Sequence, residues 1–512
     1  MSNLELKADS ANVQRRDGFR VMTAVDELTP TRVRTERVGD TAWADLARRI
    51  DGGVLRPSDP AFASFANPTI ARYDRCLPEG VALPTTEADI AATLDWAQRH
   101  QIPVVARGGG HSYAGYSTTD GVLIHLGMLT ASRIDTRAGT ATVQAGMRNQ
   151  AVLDVLTPTG LILPFGRCPT IGIAGYTLGG GLGLHTRRIG MACDALLSTR
   201  LVTATGEIIS CDEDTNADLF WACRGGAGGN FGINTCFEFQ LQPASDVTAY
   251  RLAFGGQKAE EVLLAVQDLI TEPALLRKFE AQFGVKTVGT SATQAANNIA
   301  VYAEGWYYGP QHELETILTR ITSVAPPTEK YLAQLDGLRA QRRFSDELAS
   351  DPFTTASIVA RTPMRAEDAA DVVEYVRNWP GSTSRSGASA AFFAMGGADR
   401  DPAPDATAFV HRDAVFVLAA TSRWTTKDGP DAARPAAAWT SGFRRKFSAV
   451  LGSGSFVNFA DPDLPHWWDA YYGSNYARLA KIKGMCDPAS LLRYPQAVSP
   501  WPQPQPGPDR RP

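Results

Sequence analysis

Apolar and polar positions fall into two textures along the chain. Up to about residue 245 the apolar runs are short and broken by glycine. In ALPTTEADIAATLDWAQRHQIPVVARGGGH, Ile90, Leu94 and Ala97 recur at helical spacing. Thr86 is placed to cap that helix, and Asp89 falls in its first turn. Residues 102–106 then read as a short strand running into Gly108, Gly109 and Gly110. Further strands are predicted at 122–126 and 141–146, and a short helix at 150–156. Residues 196–204 and 207–210 form a hairpin around Thr205-Gly206. NADLFWACRGGAGGNFG reads as a short helix ending in a glycine loop, and Ile233, Thr235, Phe237, Phe239 and Leu241 alternate as in a half-buried strand.

From about residue 246 glycine thins out. Helical patterns occupy 260–270, 312–321 and 366–379, with strands at 298–309 and 406–424. This is the texture of a second α+β domain. A helix is expected within 475–498, closed by Asp487-Pro488. The expected division is a lead-in over 1–44, a first domain over 45–245, a second over 246–459, a closing segment over 460–500 and a disordered proline-rich tail over 501–512.

Composition narrows the function classes. The 512 residues are 44% hydrophobic and 20% charged, as in a globular chain, and the formal net charge is −4. That balance argues against a nucleic-acid or anionic-membrane partner, and no apolar run is long enough to span a bilayer. The first twenty residues have no apolar core of a signal peptide, which leaves the expected location cytoplasmic or unknown. Seven cysteines, Cys76, Cys168, Cys193, Cys211, Cys223, Cys236 and Cys486, form no CxxC pair and no zinc-finger spacing with histidine, and no metal is expected.

Three glycine loops stand out: 108–110, 179–183 and 225–232. Runs without side chains let backbone N–H groups approach an anion such as a diphosphate. Any one loop reads equally well as a tight turn. Together they suggest a large cofactor wrapped by backbone. None matches a Walker A loop or a GxGxxG opening a helix, which argues against a nicotinamide Rossmann enzyme. His111 follows the first loop and Cys168 precedes the second. Taken alone, such a histidine is more often structural and such a cysteine inert.

Four segments carry a family resemblance. ARGGGHSYAGYS resembles the RGGGHS(Y)xGxS motif of the berberine bridge enzyme-like flavoproteins, in the vanillyl-alcohol oxidase superfamily. GRCPTIGIAGYTLGGGLG resembles that family's GxCPTVGxxGxxLGGGxG, and LFWACRGGAGGNFGI its glycine-rich third motif. YYGSNYARLAKIKGMCDPASLLRYPQAV resembles its C-terminal signature. The resemblance implies an α+β fold of two domains, a PCMH-type FAD-binding domain and an α+β substrate domain whose antiparallel sheet covers the flavin. It implies FAD held covalently, 8α-histidyl through His111 and 6-S-cysteinyl through Cys168. Arg107, Gly108, Gly109, Gly110 and Ser112 would surround the diphosphate. Gly115, Ser117, Thr170, Ile171, Gly172, Gly175, Gly179, Gly180, Gly183, Asn230 and Ile233 would lie along the cofactor. Tyr472 and Asn475 would bring the C-terminal segment back onto the FAD domain.

The chain departs from the family where a base is needed. The family's usual base is the second tyrosine of a YxNY motif. Here SFVNFADPDL puts Phe456 and Phe459 at both tyrosine positions, and a phenyl ring accepts no proton. A family glutamate aligns loosely with Leu418, also no base. Three readings stay open: the base is relocated to Tyr302, Glu304 or Tyr308; the substrate needs little base help; or the chain binds flavin without oxidase turnover. Ile171 stands where the family has valine, near the expected oxygen approach, and would narrow it by one methylene. The implied activity is oxidation of an alcohol, hemiacetal or related C–H centre on a bulky secondary metabolite by hydride transfer to flavin N5. Oxygen would be the acceptor, giving hydrogen peroxide, with a dehydrogenase using another acceptor still open. The alternative substrate is an oligosaccharide oxidised at its C1 hydroxyl. Arg187-Arg188 and Lys481/Lys483 read most simply as solvated faces.

Overall fold

The computed structural model describes residues 37–291, 294, 297–345 and 351–500. Residues 1–36 of the expected lead-in and the tail 501–512 lie outside the described residues. Ordered structure begins earlier than expected, with helix Asp40–Arg49. Its Trp43 packs on Trp96 with ring centroids 4.6 Å apart, and Arg56 covers Trp43 at 4.4 Å. An aromatic buried on both faces is what draws this segment into the core.

The first domain holds a four-stranded sheet, a five-stranded sheet and a short pair, Leu161–Ile162 with Gln242–Pro243. Strands Gly80–Leu83, Val122–His125 and Val104–Arg107 run parallel, with Gly53–Leu55 antiparallel at the edge. Helix Glu87–Arg99 feeds the strand that ends at Arg107. It starts as the sequence reads, with a capping box in which Asp89 N donates to Thr86 Oγ1. The second sheet is antiparallel and five-stranded, with Ile233–Gln240 at its centre. The alternation over 233–241 is realised there, since Ile233, Thr235, Phe237 and Phe239 are all buried.

The second domain is one seven-stranded antiparallel sheet. In spatial order its strands are Glu329–Asp336, Asp246–Gly255, Ile299–Tyr307, Phe279–Thr287, Ala388–Ala394, Phe416–Arg423 and Phe353–Ala360. Helices Ala259–Thr271, Gln311–Thr322, Ala366–Arg377 and Ala433–Leu451 bury their apolar stripes on one face of it. The other face looks toward the first domain. The strand read over 406–424 forms only as Phe416–Arg423. The preceding residues are irregular because their carbonyls serve the C-terminal segment: Asn475 Nδ2 donates to Pro404 and Thr407 at 2.9 and 3.1 Å.

Two basic residues read as solvated faces are instead buried. Arg187 is fully enclosed and donates to the carbonyls of Ile270, Leu276 and Met395, tying the first domain to the second. Lys483, in helix Tyr476–Cys486, is equally enclosed. Its Nζ donates to the Asn230 and Leu492 carbonyls, each at 2.7 Å, and to Asp487 at 2.6 Å. Buried cations survive only with such complete sets of acceptors. Among the described residues no helix is long and apolar enough to cross a membrane.

Candidate active site

A cavity of about 1040 Å³ lies between the glycine loops of the first domain and the open face of the seven-stranded sheet. On the first-domain side its wall is rich in glycine. Gly109 and Gly172, from the first two motifs, are packed so tightly that a Cβ on Gly109 would lie 2.2 Å from the Gly172 nitrogen. That contact forces glycine at both positions and brings His111 and Cys168 to the same wall. Gly228 and Gly229, the latter at φ +75°, add the third loop, followed by Gly232 and Ile233.

His111 Nε2 lies 2.8 Å from Thr170 Oγ1, and Cys168 Sγ lies 3.3 Å from the same oxygen. Burial, with Arg148 nearby, pushes the His111 imidazole down to about 4, so the ring is neutral at physiological pH. Asn149 Nδ2 donates to the carbonyls of Gly166 and Cys168, both at 3.3 Å, and fixes the Cys168 turn.

Of the residues singled out from sequence, Gly108, Gly109, Gly110, His111, Ser112, Ser117, Cys168, Ile171, Gly172, Gly175, Gly183 and Ile233 line this cavity. Others stand behind its wall. Arg107 turns inward and donates to the carbonyls of Phe65, Ala66, Asn67 and Ser117. Gly115 packs against the Tyr73 ring, Gly179 against Asn458 and Gly180 against Phe409. Asn230 accepts from Val498 N and donates to the Gly226 carbonyl. Tyr472 donates to that same carbonyl, while Asn475 holds the segment before Phe409. Thr170 touches both His111 and Cys168 from behind.

The base candidates separate. Tyr302 and Glu304 line the cavity. Tyr308 does not: it follows the strand's end, and its hydroxyl bonds His185 Nδ1 at 2.7 Å in a separate cluster with Trp306 and Phe344. Glu304 is clamped between Arg167 at 2.7 Å and Arg251 at 2.6 Å. Burial would raise its carboxyl, but the two guanidiniums outweigh it and hold the group below the usual carboxylate range. Leu418 points into the helix-covered core, and Ala419, Thr421 and Arg423 face the cavity instead. Phe456 and Phe459 both line it, beside Phe393.

Sequence reasoning passed over several lining residues. Tyr113 and Arg167 sit inside quoted motifs with no role attached. Arg423, at the end of its strand, has no local signal at all. Among the described residues no group of three or more His, Cys, Asp or Glu could hold a metal.

Known proteins resemble this chain in sequence and fold. Residues 78–212 match the FAD binding domain family, and 455–499 the family described as berberine and berberine like. Chitooligosaccharide oxidase of Gibberella zeae is 28% identical over 458 residues, 83% of this chain and 87% of that protein. Berberine bridge enzyme-like C-1 of Nicotiana tabacum is 25% identical over 501 residues, covering 85% and 88%. Among solved structures, glucooligosaccharide oxidase from Acremonium strictum, described with a 6-S-cysteinyl, 8α-N1-histidyl FAD, superposes with a TM-score of 0.78 at 25% identity, covering 90% of this chain and 99% of that one.

Proposed function

Because the chain belongs to the berberine bridge enzyme-like FAD-linked oxidoreductases, we propose that it is an oxidase whose single FAD is attached to both His111 and Cys168, and that it oxidises an alcohol, hemiacetal or related C–H centre of a bulky secondary metabolite with oxygen as acceptor. The observation that carries this reading is the meeting of a neutral imidazole and a thiol at Thr170, on a glycine-rich wall.

The residues present fit the cofactor. The cavity has room for a dinucleotide, and the close Gly109–Gly172 contact leaves backbone rather than side chains facing it. Bound FAD would supply the hydride acceptor, and oxygen would reoxidise it and be reduced to hydrogen peroxide. His111 presents an uncharged ring whose Nε2 is engaged by Thr170, leaving Nδ1 as the nitrogen to carry the bond. Cys168 supplies the sulfur, its turn fixed by Asn149. Phe393, Phe456 and Phe459 make one side of the cavity apolar, which excludes water and suits a ring-bearing substrate.

A second substrate reading, an oligosaccharide, is favoured by the opposite side, where Arg251, Gln282, Lys286, Glu329 and Ser389 offer polar groups. Two relatives are named chitooligosaccharide and xylooligosaccharide oxidases. Acid denaturation tests the cofactor assignment: a covalently held flavin leaves the pellet yellow, and a colourless pellet overturns it. Anaerobic mixing with chitobiose, xylobiose and benzylic alcohols then separates the substrate readings by which compound bleaches the flavin band. Colour that persists with every compound supports a flavin-binding protein without oxidase turnover.

A further inference from the structure

Phe459 occupies the position where the family resemblance places the proton-accepting tyrosine, and its ring lies parallel to that of Tyr113. The two centroids are 5.6 Å apart and the planes differ by 8°. The hydroxyl missing from one ring of the stack is present on the other. Tyr113 is two residues beyond His111 and lines the cavity.

Its placement is fixed from several sides. The Tyr73 hydroxyl donates to the Tyr113 carbonyl at 3.0 Å. The Tyr113 ring meets Phe353 edge-on at 4.9 Å and 85°. Arg423 lies over that same Phe353 ring at 4.7 Å and also lines the cavity. Its Nη1 is buried with no hydrogen-bond partner among the described residues. A buried guanidinium nitrogen left unsatisfied is costly unless an acceptor arrives. Burial pulls this guanidinium below its ordinary value, and the negative charges that Tyr113 and Asp351 can carry oppose that. Asp351 is itself engaged, accepting from Ser384 Oγ at 2.6 Å.

The other candidates serve less well. Glu304 is committed to two arginines, and Tyr308 lies outside the cavity. Tyr302 lines it too, with the Lys286 Nζ 5.8 Å from its ring centroid, but the rings packed on Phe459 are those of Tyr113, Phe393 and Phe456.

We propose that Tyr113 is the catalytic base of this chain and that Arg423 is the positioning residue that holds its phenolate. The proposal rests on the flavin reading above. The Tyr113 Oη takes the proton of the substrate O–H, and the O–H pair becomes the second bond of the new carbonyl. The adjacent C–H hydrogen would leave with both electrons as hydride to the bound FAD, and oxygen would take those two electrons with two protons and leave as hydrogen peroxide, while Tyr113 loses its proton to solvent. The substrate has lost two hydrogens and oxygen has gained two. Opposite charge beside a phenol favours its ionised form. The charged and titratable groups beside it are Arg423 with Asp351, Tyr73, whose hydroxyl donates to its carbonyl and whose ring Arg72 covers, and His111 two residues before it, while Lys286 and Tyr302 share the cavity.

The test uses the full flavin-loaded chain as wild type, Tyr113→Phe, Arg423→Gln, Arg423→Lys and the double variant Tyr113→Phe with Phe459→Tyr. Tyrosinate absorbance is followed against pH without substrate. One tyrosine ionises ahead of the rest in wild type. That component is absent in Tyr113→Phe, moves to higher pH in Arg423→Gln and returns in Arg423→Lys. With chitobiose, xylobiose and benzyl alcohol as probes, the anaerobic bleaching rate falls by about 10²–10⁴-fold in Tyr113→Phe, the size of a lost general base. Phe459→Tyr on that background restores part of it. An early-ionising tyrosine that survives Tyr113→Phe, or unchanged bleaching in that variant, overturns the proposal while acid pellets stay yellow. A white wild-type pellet overturns the flavin reading instead.

Discussion

His111 and Cys168 share one hydrogen-bond partner, the hydroxyl of Thr170, at 2.8 and 3.3 Å. Two nucleophiles from motifs far apart in sequence are thus aimed at one patch of cavity wall. The Gly109–Gly172 contact sets this up, because each glycine sits close to one of the pair in sequence and neither tolerates a side chain.

Gly109→Ala tests that contact. The new methyl would lie 2.2 Å from Gly172 N and 2.9 Å from the Thr170 carbonyl, and both obstacles are backbone. Separating the loops is expected to cost about 3 kcal/mol, the upper end for overpacking. Thermal unfolding should show a lower Tm, and the purified variant should hold less flavin per chain than wild type.

Glu304→Gln leaves Arg167 and Arg251 without their shared counter-charge. Arg167 is buried, but Arg251 keeps access to water, so a loss of about 2 kcal/mol is expected rather than the full penalty of stranding a buried ion. The wild-type carboxyl is depressed in the folded state. Its stabilising contribution is therefore complete above the unfolded value of about 4.3 and fades as pH falls through the lower folded value. Denaturant midpoints of wild type and variant should differ at pH 7 and converge in acid.

Ile171→Val addresses the acceptor. Ile171 is half-buried on the cavity wall. Removing one methylene costs about 1 kcal/mol, and it widens the apolar approach to the cofactor. Stopped-flow mixing of reduced protein with oxygenated buffer should show faster flavin reoxidation. An unchanged rate would assign Ile171 to packing alone.

Much of the first domain was legible because its signals are local. Thr86 and Asp89 cap a helix by direct contact, and the 233–241 alternation needs only one buried sheet face. What escaped is non-local. Arg187 and Lys483 look like surface charges until carbonyls from distant segments close around them. Tyr308 shares the strand face of Glu304 by periodicity. Beyond Glu304, however, that face is covered by His185 and Phe344 rather than open to the cavity. Most strands of the seven-stranded sheet passed unread, among them Phe353–Ala360, whose residues are buried throughout and so show no alternation. Helix Ala433–Leu451 also went unread. Tyr113 was visible inside a motif, but its partners Phe459 and Arg423 come from the far side of the fold.

The proposed bonds from His111 and Cys168 to one flavin are read most simply in a denatured pellet. Acid precipitation of wild type, His111→Ala, Cys168→Ala and the double variant tests them most directly. Yellow pellets are expected from the wild type and from each single variant, since either bond alone retains the cofactor, and a white pellet from the double variant. A white wild-type pellet, or a yellow pellet from the double variant, would contradict them.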